Sequence, residues 1–173
     1  MNWPQGAGKP PRSLGRSLTD SAVRQARSPR LYESMGAPDT IEGRFELLTL
    51  HVILVIDALR KIGPEASATS QAVFDAYIRD LDGALREMGV GDLVVGKRMR
   101  ELGRAFYGRA AAYRAVVADA PDRAGLEDLI RRTILVGDES ADAGALAEYV
   151  IACHQTLSDQ GRGLLGGAQW PEP

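Results

Sequence analysis

The residues that could do chemistry in this chain are few and far apart. Gly91 to Lys97 has the spacing G-x-x-x-x-G-K of a phosphate-binding loop. The next residue is Arg98, so the hydroxyl that would hold magnesium is missing, and the segment follows helical rather than strand-like sequence. Its glycines read as a tight corner between helices, and no nucleotide is expected. His51 sits among apolar neighbours and reads as a buried, neutral imidazole with one hydrogen bond. The chain has only two histidines, too few to suggest a metal site. Cys153 and His154 are adjacent, so on a helix they point about 100° apart and form no nucleophile–base pair. Cys153 also falls on a buried seam, where a thiol is inert. Asp39, Glu42, Arg44 and Glu46 form a charged group that capping and helix pairing explain. No set combines nucleophile, base and oxyanion donor. The expectation is a protein without catalytic turnover, metal or cofactor.

The element that must organise these residues is the stretch 39–62, DTIEGRFELLTLHVILVIDALRKI. From Leu47 to Leu59 only Thr49, His51 and Asp57 are polar. A helix apolar nearly all round is packed on several sides at once. Asp39 stands at the N-cap position, with Glu42 completing a capping-box pattern, and Gly63-Pro64 ends the helix. The apolar run is shorter than the roughly 20 residues a bilayer crossing needs. Leu47, Leu50, Leu54 and Ile56 are expected in the core.

Around it, the pattern predicts an all-α, compact single domain of five to seven helices. Residues 1–17 are rich in Gly, Pro and Ser, with Lys9, Arg12 and Arg16. They read as a disordered basic tail or as a basic arm for anionic lipid or RNA. The helical domain is expected over 18–158. A first helix is expected from near Thr19 to Arg27, and a short one from Pro29 to Met35-Gly36, with Leu31, Tyr32 and Met35 inward. In 65–88, Phe74, Tyr77, Ile78, Leu81, Leu85 and Met88 recur at three and four, one buried face. Asp75, Asp80, Asp82 and Glu87 lie mostly off it, as a solvated face or a docking face for a basic partner. Gly89 suits the left-handed position after that helix, and Asp92 suits the N-cap of the next.

That next helix, to about residue 117, has an inward seam of Val95, Met99, Leu102, Phe106, Ala110, Tyr113 and Val117. Its other faces carry Lys97, Arg98, Arg100, Arg104, Arg109 and Arg114 against one acid, Glu101. A helix follows over 121–134, with Leu126, Leu129, Ile130 and Thr133 inward, then a loop at 137–140. The last helix, 141–157, presents Leu146, Tyr149, Val150, Cys153 and Leu157. Residues 159–173 read as a Gly/Pro-rich tail whose Leu164, Leu165 and Trp170 could hook onto the body.

Composition excludes several classes. The 173 residues suit one domain, with 45% hydrophobic and 25% charged residues and a net charge of −2, so no global field points to DNA. A single cysteine rules out an internal disulfide and fits a reducing compartment. No apolar leader segment is evident.

Three stretches carry a resemblance: PDTIEGRFELLTLH (38–51), SQAVFDAYIRDLDGALREMGVGDLVVGKRM (70–99) and AFYGR (105–109). Together they resemble the ubiquinol–cytochrome c chaperone family, assembly factors for cytochrome b of the respiratory cytochrome bc complex, and the likeness spans about residues 30–157. The compact length resembles the bacterial branch. The resemblance implies an all-helical, non-enzymatic chaperone that binds newly made cytochrome b. It implies a cytoplasmic location, peripheral on the inner membrane, or the mitochondrial matrix for a eukaryotic source. Mitochondrial relatives associate with the ribosome near its exit tunnel, so a ribosome or an anionic membrane is a further expected partner.

Two function classes follow: an assembly chaperone, or a small helical enzyme or lipid- and quinone-binding protein. An open apolar groove favours the first; a large enclosed pocket with a perturbed titratable group favours the second. Client binding needs an apolar groove, and a polyanionic surface needs clustered cations. The partner-binding expectation falls on Gly89, Gly91, Asp92, Gly96, Lys97, Arg98, Arg100, Arg104, Phe106, Tyr107, Gly108 and Arg109. The competing account pairs these cations with Asp75, Asp80, Asp82 and Glu87 of the preceding helix.

Overall fold

The computed structural model describes residues 10–118, 120–137 and 142–173. Seven α-helices appear among them: α1 Pro11–Ala26, α2 Pro29–Glu33, α3 Ile41–Ile62, α4 Ser67–Glu87, α5 Asp92–Val116, α6 Arg123–Thr133 and α7 Gly144–Asp159. Short 3₁₀ turns cover Pro64–Ala66 and Gly161–Gly166. The described residues contain no strand, so the all-helical bundle expected from the sequence is what forms. None of the described helices is long and apolar enough to cross a membrane.

The central helix is α3. Every residue from Thr49 through Leu59 is buried; Leu47 and Leu50 are 0% exposed, Leu54 2% and Ile56 7%. Helices α1, α4, α5 and α7 all pack on it, which is why its sequence has no polar face. Its N-cap is Thr40 rather than the expected Asp39: the Thr40 hydroxyl accepts from Gly43 N–H. Asp39 instead receives the Arg44 guanidinium at 2.5 Å, so one residue's shift gives the short hydroxyl the cap and the carboxylate an ion pair.

Four buried polar side chains of α3 each reach a different part of the shell. Glu46 pairs with Arg109 of α5. Thr49 bonds Tyr77 of α4 at 2.8 Å. His51 bonds Tyr149 of α7 at 2.7 Å. Asp57 accepts from Arg114 of α5 at 2.6 Å. A buried polar group costs stability unless paired, so each contact penalises sliding of a neighbouring helix along α3.

The N-terminal expectation needs correction. Helix α1 starts at Pro11, eight residues before the expected start near Thr19, so 10–17 is not tail, while residues 1–9 lie outside the described residues. Proline's fixed φ suits a helix's first position. Leu14, Leu18, Ala22 and Ala26, four apart, are buried. Gly15 lets α1 lie close against α4: a Cβ there would come within 2.5 Å of the Ala72 Cβ. Arg16, read as part of a basic arm, pairs with Asp80 at 2.5 Å and Asp20 at 2.8 Å.

The C-terminal segment docks. Leu164 is fully buried. Trp170 donates from Nε1 to Ser21 Oγ at 3.0 Å, and its ring meets His51 edge-on at 5.2 Å. Gln25 donates to Tyr149 Oη at 2.9 Å and to the Pro171 carbonyl at 3.0 Å, tying α1, α7 and the C-terminal segment together.

Candidate partner-binding surface

Helices α4 and α5 form an antiparallel hairpin whose tip is set by its turn. Gly89 has φ 79°, a left-handed conformation that glycine adopts without strain. Val90 N–H bonds the Leu85 carbonyl and Gly89 N–H bonds the Arg86 carbonyl, the paired bonds of a Schellman ending. Asp92 does not cap α5. Gly91 occupies the N-cap, without a side-chain cap bond, and Asp92, the first helical residue, pairs with Arg86. Because α5 begins at Asp92, the segment that resembles a phosphate loop is already helical. The Val94 and Val95 amides bond the Gly91 carbonyl and those from residue 96 onward are committed to the helix, so the segment is a helix start and not the extended glycine-rich loop of a phosphate site.

The hairpin is less buried towards its tip. On α4, Val73, Ala76 and Tyr77 are buried, but Ile78, Leu81 and Leu85 are only partly covered and Met88, expected inward, is 55% exposed. On α5, Val95, Phe106, Ala110 and Tyr113 are buried, while Met99 and Leu102 of the same seam are partly open.

The predicted site residues separate into three groups. Lys97, Arg98, Arg100 and Arg104 are exposed, with Gly96, Tyr107 and Gly108 beside them. Phe106 is buried, with its ring 5.1 Å from Phe74 and 5.4 Å from Tyr77, so it supports the surface from beneath. Arg109 turns inward to Glu46, whose hydrogen bonds raise the guanidinium's pKa further. Gly89, Gly91 and Asp92 form the turn. Among the described residues no ion pair joins Lys97, Arg100 or Arg104 to Asp75, Asp80, Asp82 or Glu87. Asp80 pairs with Arg16, Asp82 with Arg86, and Asp75 accepts from Gln71. Arg98 approaches only Glu101 of its own helix, at 3.9 Å.

Sequence reasoning did not resolve a groove between α3, α4 and α5. It is open, ≈ 360 Å³ in volume, with Ile56 and Leu59 beneath, Phe74 and Tyr107 beside, and Gln71, Arg60 and Arg114 along the polar edge. The rings of Phe74 and Tyr107 stand 5.6 Å apart. Apolar groove residues follow the same periodicity as core residues, so the sequence holds no signal that separates them.

The remaining candidates are structural. His51 is fully buried and makes two hydrogen bonds rather than one: Nδ1–H donates to the Leu47 carbonyl at 2.7 Å, and Nε2 accepts from the Tyr149 hydroxyl. Burial pulls its pKa from 6.5 down to about 4, so it stays neutral. Burial also pushes the Cys153 thiol up to about 12 and raises Tyr149. Among the described residues no group of three or more His, Cys, Asp or Glu gathers as a metal site. His51, Tyr149 and Cys153 are sealed in the core away from this groove, and an open groove suits binding of a chain segment.

Known proteins resemble the chain in sequence and in fold. The sequence model of the ubiquinol-cytochrome C chaperone family matches residues 33–167. The crystal structure of the Cbp3 homolog from Brucella abortus is similar, with 33% identity and a TM-score of 0.83, over 92% of this chain and 90% of that one. No curated protein matches the sequence.

Proposed function

The chain belongs to the ubiquinol–cytochrome c chaperone family, and from that premise we propose that it binds newly made cytochrome b while the cytochrome bc complex is assembled. The observation that carries this reading is the open groove beside Tyr107, where the Phe74 and Tyr107 rings offer an aromatic wall to an apolar helical segment, and Ser67, Ser70, Gln71, Arg60 and Arg114 supply polar contacts at its margin. Such a segment loses its lipid or partner helices before assembly, and a groove that shields one face prevents its aggregation. The chaperone acts by binding and release, without covalent chemistry. Gly89, Gly91, Asp92 and Gly96 shape the hairpin that carries Lys97, Arg98, Arg100 and Arg104, and this side faces the polyanionic setting in which the client is made. The work is then done in the cytoplasm beside the inner membrane, or in the matrix of a eukaryotic source.

The test is capture of the tagged full-length chain from solubilised membranes of cells assembling the complex. Cytochrome b is expected to be enriched with the wild-type chain and several-fold less with Tyr107→Glu, which puts a charge on the groove wall. Tyr107 is 63% exposed, so this variant keeps its fold. Absence of cytochrome b from the wild-type capture overturns the reading.

A further inference from the structure

The groove between α3, α4 and α5 has two unlike ends. At one end the Phe74 and Tyr107 rings face each other. Because α4 and α5 run antiparallel, the register that sets Phe74 opposite Tyr107 also sets Ser67 opposite Arg114, seven residues along in each helix. Seven residues are two helical turns, about 10 Å. Arg60 joins Arg114 at this second end. It follows Asp57 by three residues on α3, so the two share a face, and Asp57 is the residue that holds Arg114. Between the ends α4 contributes Ser70 and Gln71. Ile56 and Leu59 beneath are buried. The surface an occupant meets is therefore aromatic, then neutral polar, then cationic.

The cationic end is not neutralised from within. Among the described residues no carboxylate lines the groove. The buried Asp57 is the acid behind it, and that one carboxylate faces the positive charges of both Arg114 and Arg60. Other acids close by are engaged: Glu65 pairs with Arg162 at 2.6 Å, and Asp75 accepts from Gln71 at 2.7 Å. Arg60 is exposed and makes no ion pair within hydrogen-bonding reach among the described residues.

From this graded lining we infer that the groove recognises the acidic end of an apolar helix. The occupant places an aromatic or aliphatic residue between Phe74 and Tyr107, a small polar or amide side chain one turn on, and an Asp or Glu two turns on that pairs with Arg60. Positions i, i+3 or i+4 and i+7 lie on one face of a helix, and their span of about 10 Å matches the distance between the ends. An uninterrupted apolar segment would instead cover Arg60, Ser70 and Gln71 without giving them partners, which weakens binding. A polyanion would meet Arg60 but leave the rings unused. The inference rests on the client reading above and narrows it. Carboxylates are rare within membrane spans, so the part of a client that fits lies at the end of a span and not in its middle.

The experiment measures binding of fluorescent, end-blocked model helices to the full-length chain. The probe peptide carries Phe at i, Ser at i+3 and Glu at i+7 on an alanine–glutamine background, and its reversed sequence covers the other direction along the groove. One control replaces the Glu by Gln. A second moves it to i+9, on the opposite face at the same net charge. In one of the two directions the probe is expected to bind about three- to fivefold tighter than both controls, with the preference shrinking as salt rises. Arg60→Gln should erase the preference and Arg60→Lys should keep most of it, while Tyr107→Ser weakens probe and controls alike. Circular dichroism checks that the variants fold. Equal binding of probe and controls overturns the inference. So does the absence of binding in either direction up to millimolar peptide, and so does a preference that survives Arg60→Gln. Capture of cytochrome b without any peptide preference removes the acidic determinant and leaves the client reading standing. A preference lost in Arg60→Gln, alongside a capture that lacks cytochrome b, keeps the determinant and removes that client.

Discussion

Arg109 of α5 holds the carboxylate of Glu46 on α3 with two parallel bonds, Nε–H to Oε2 and Nη2–H to Oε1. Only 9% of the Glu46 side chain and 27% of the Arg109 side chain reach solvent. A buried pair of this kind is not in itself a large source of stability, because desolvation offsets the attraction. Breaking it is costly, because the remaining carboxylate stays buried and uncompensated. Arg109→Ala is expected to cost about 2–4 kcal/mol, read as a lower urea midpoint. Glu46→Leu combined with Arg109→Met should recover most of that loss. If Arg109→Ala denatures at the wild-type midpoint, the pair does not fix α5 against α3.

His51 gives stability a pH dependence of predictable sign. Its folded pKa is lowered from 6.5 to about 4 by burial, so between those values the unfolded chain binds a proton that the folded chain does not. Stability is then complete above about pH 6.5 and falls as pH drops towards 4, by about 3 kcal/mol in total. Asp57 has the opposite tendency. Burial raises its pKa despite the Arg114 bond, so its contribution is lost as pH rises. The histidine's share is therefore read as a difference between wild type and His51→Gln, whose amide can keep a bond to the Leu47 carbonyl or to Tyr149. The pH 4–6.5 slope should be markedly smaller in the variant. Equal slopes would falsify the assignment to His51.

The α4–α5 turn separates two residues that look equivalent in sequence. Gly89 has φ 79° with open space around the position of a Cβ, so Gly89→Ala suffers backbone strain alone, about 1 kcal/mol. Asp92 makes no cap bond and its side chain is 85% exposed, so Asp92→Ala should leave the denaturation midpoint close to wild type. A loss in Asp92→Ala as large as that in Gly89→Ala would mean that the carboxylate caps α5 in solution.

What the sequence made legible follows from how each signal is encoded. The all-round apolar run of α3 and the three/four seams of α4, α5 and α7 are local patterns, and Leu54, Tyr77, Phe106 and Cys153 are buried as those patterns require. The position of Gly89 is equally local. The start of α1 was hidden because Gly15 and Pro11 read as breakers. Gly15 is instead a contact point with Ala72, and a contact 57 residues away leaves no trace in composition. The pairs Glu46–Arg109 and Asp57–Arg114 were hidden for the same reason: Arg109 and Arg114 look like their exposed neighbours on α5 until α3 is laid beside them. Met88, Met99 and Leu102 continue a core pattern past the point where the body covers it. Periodicity gives the direction of a face but not what lies opposite.

The last prediction concerns the cations that remain at the surface. Lys97 and Arg98 are exposed, and Arg98 has only a long approach to Glu101. An exposed pair of this kind adds little to stability, so Lys97→Glu with Arg98→Glu should leave helical content by circular dichroism unchanged. In cells the same variant should impair maturation of cytochrome b and lower the amount of assembled cytochrome bc complex, because two reversed charges repel any polyanionic surface that the hairpin meets. Lys97→Arg with Arg98→Lys keeps both charges and should support assembly like the wild type. A folded reversal variant that still assembles the complex in full would show that this surface is dispensable. Recognition would then lie in the groove alone, and Tyr107→Glu would be the variant expected to lose assembly.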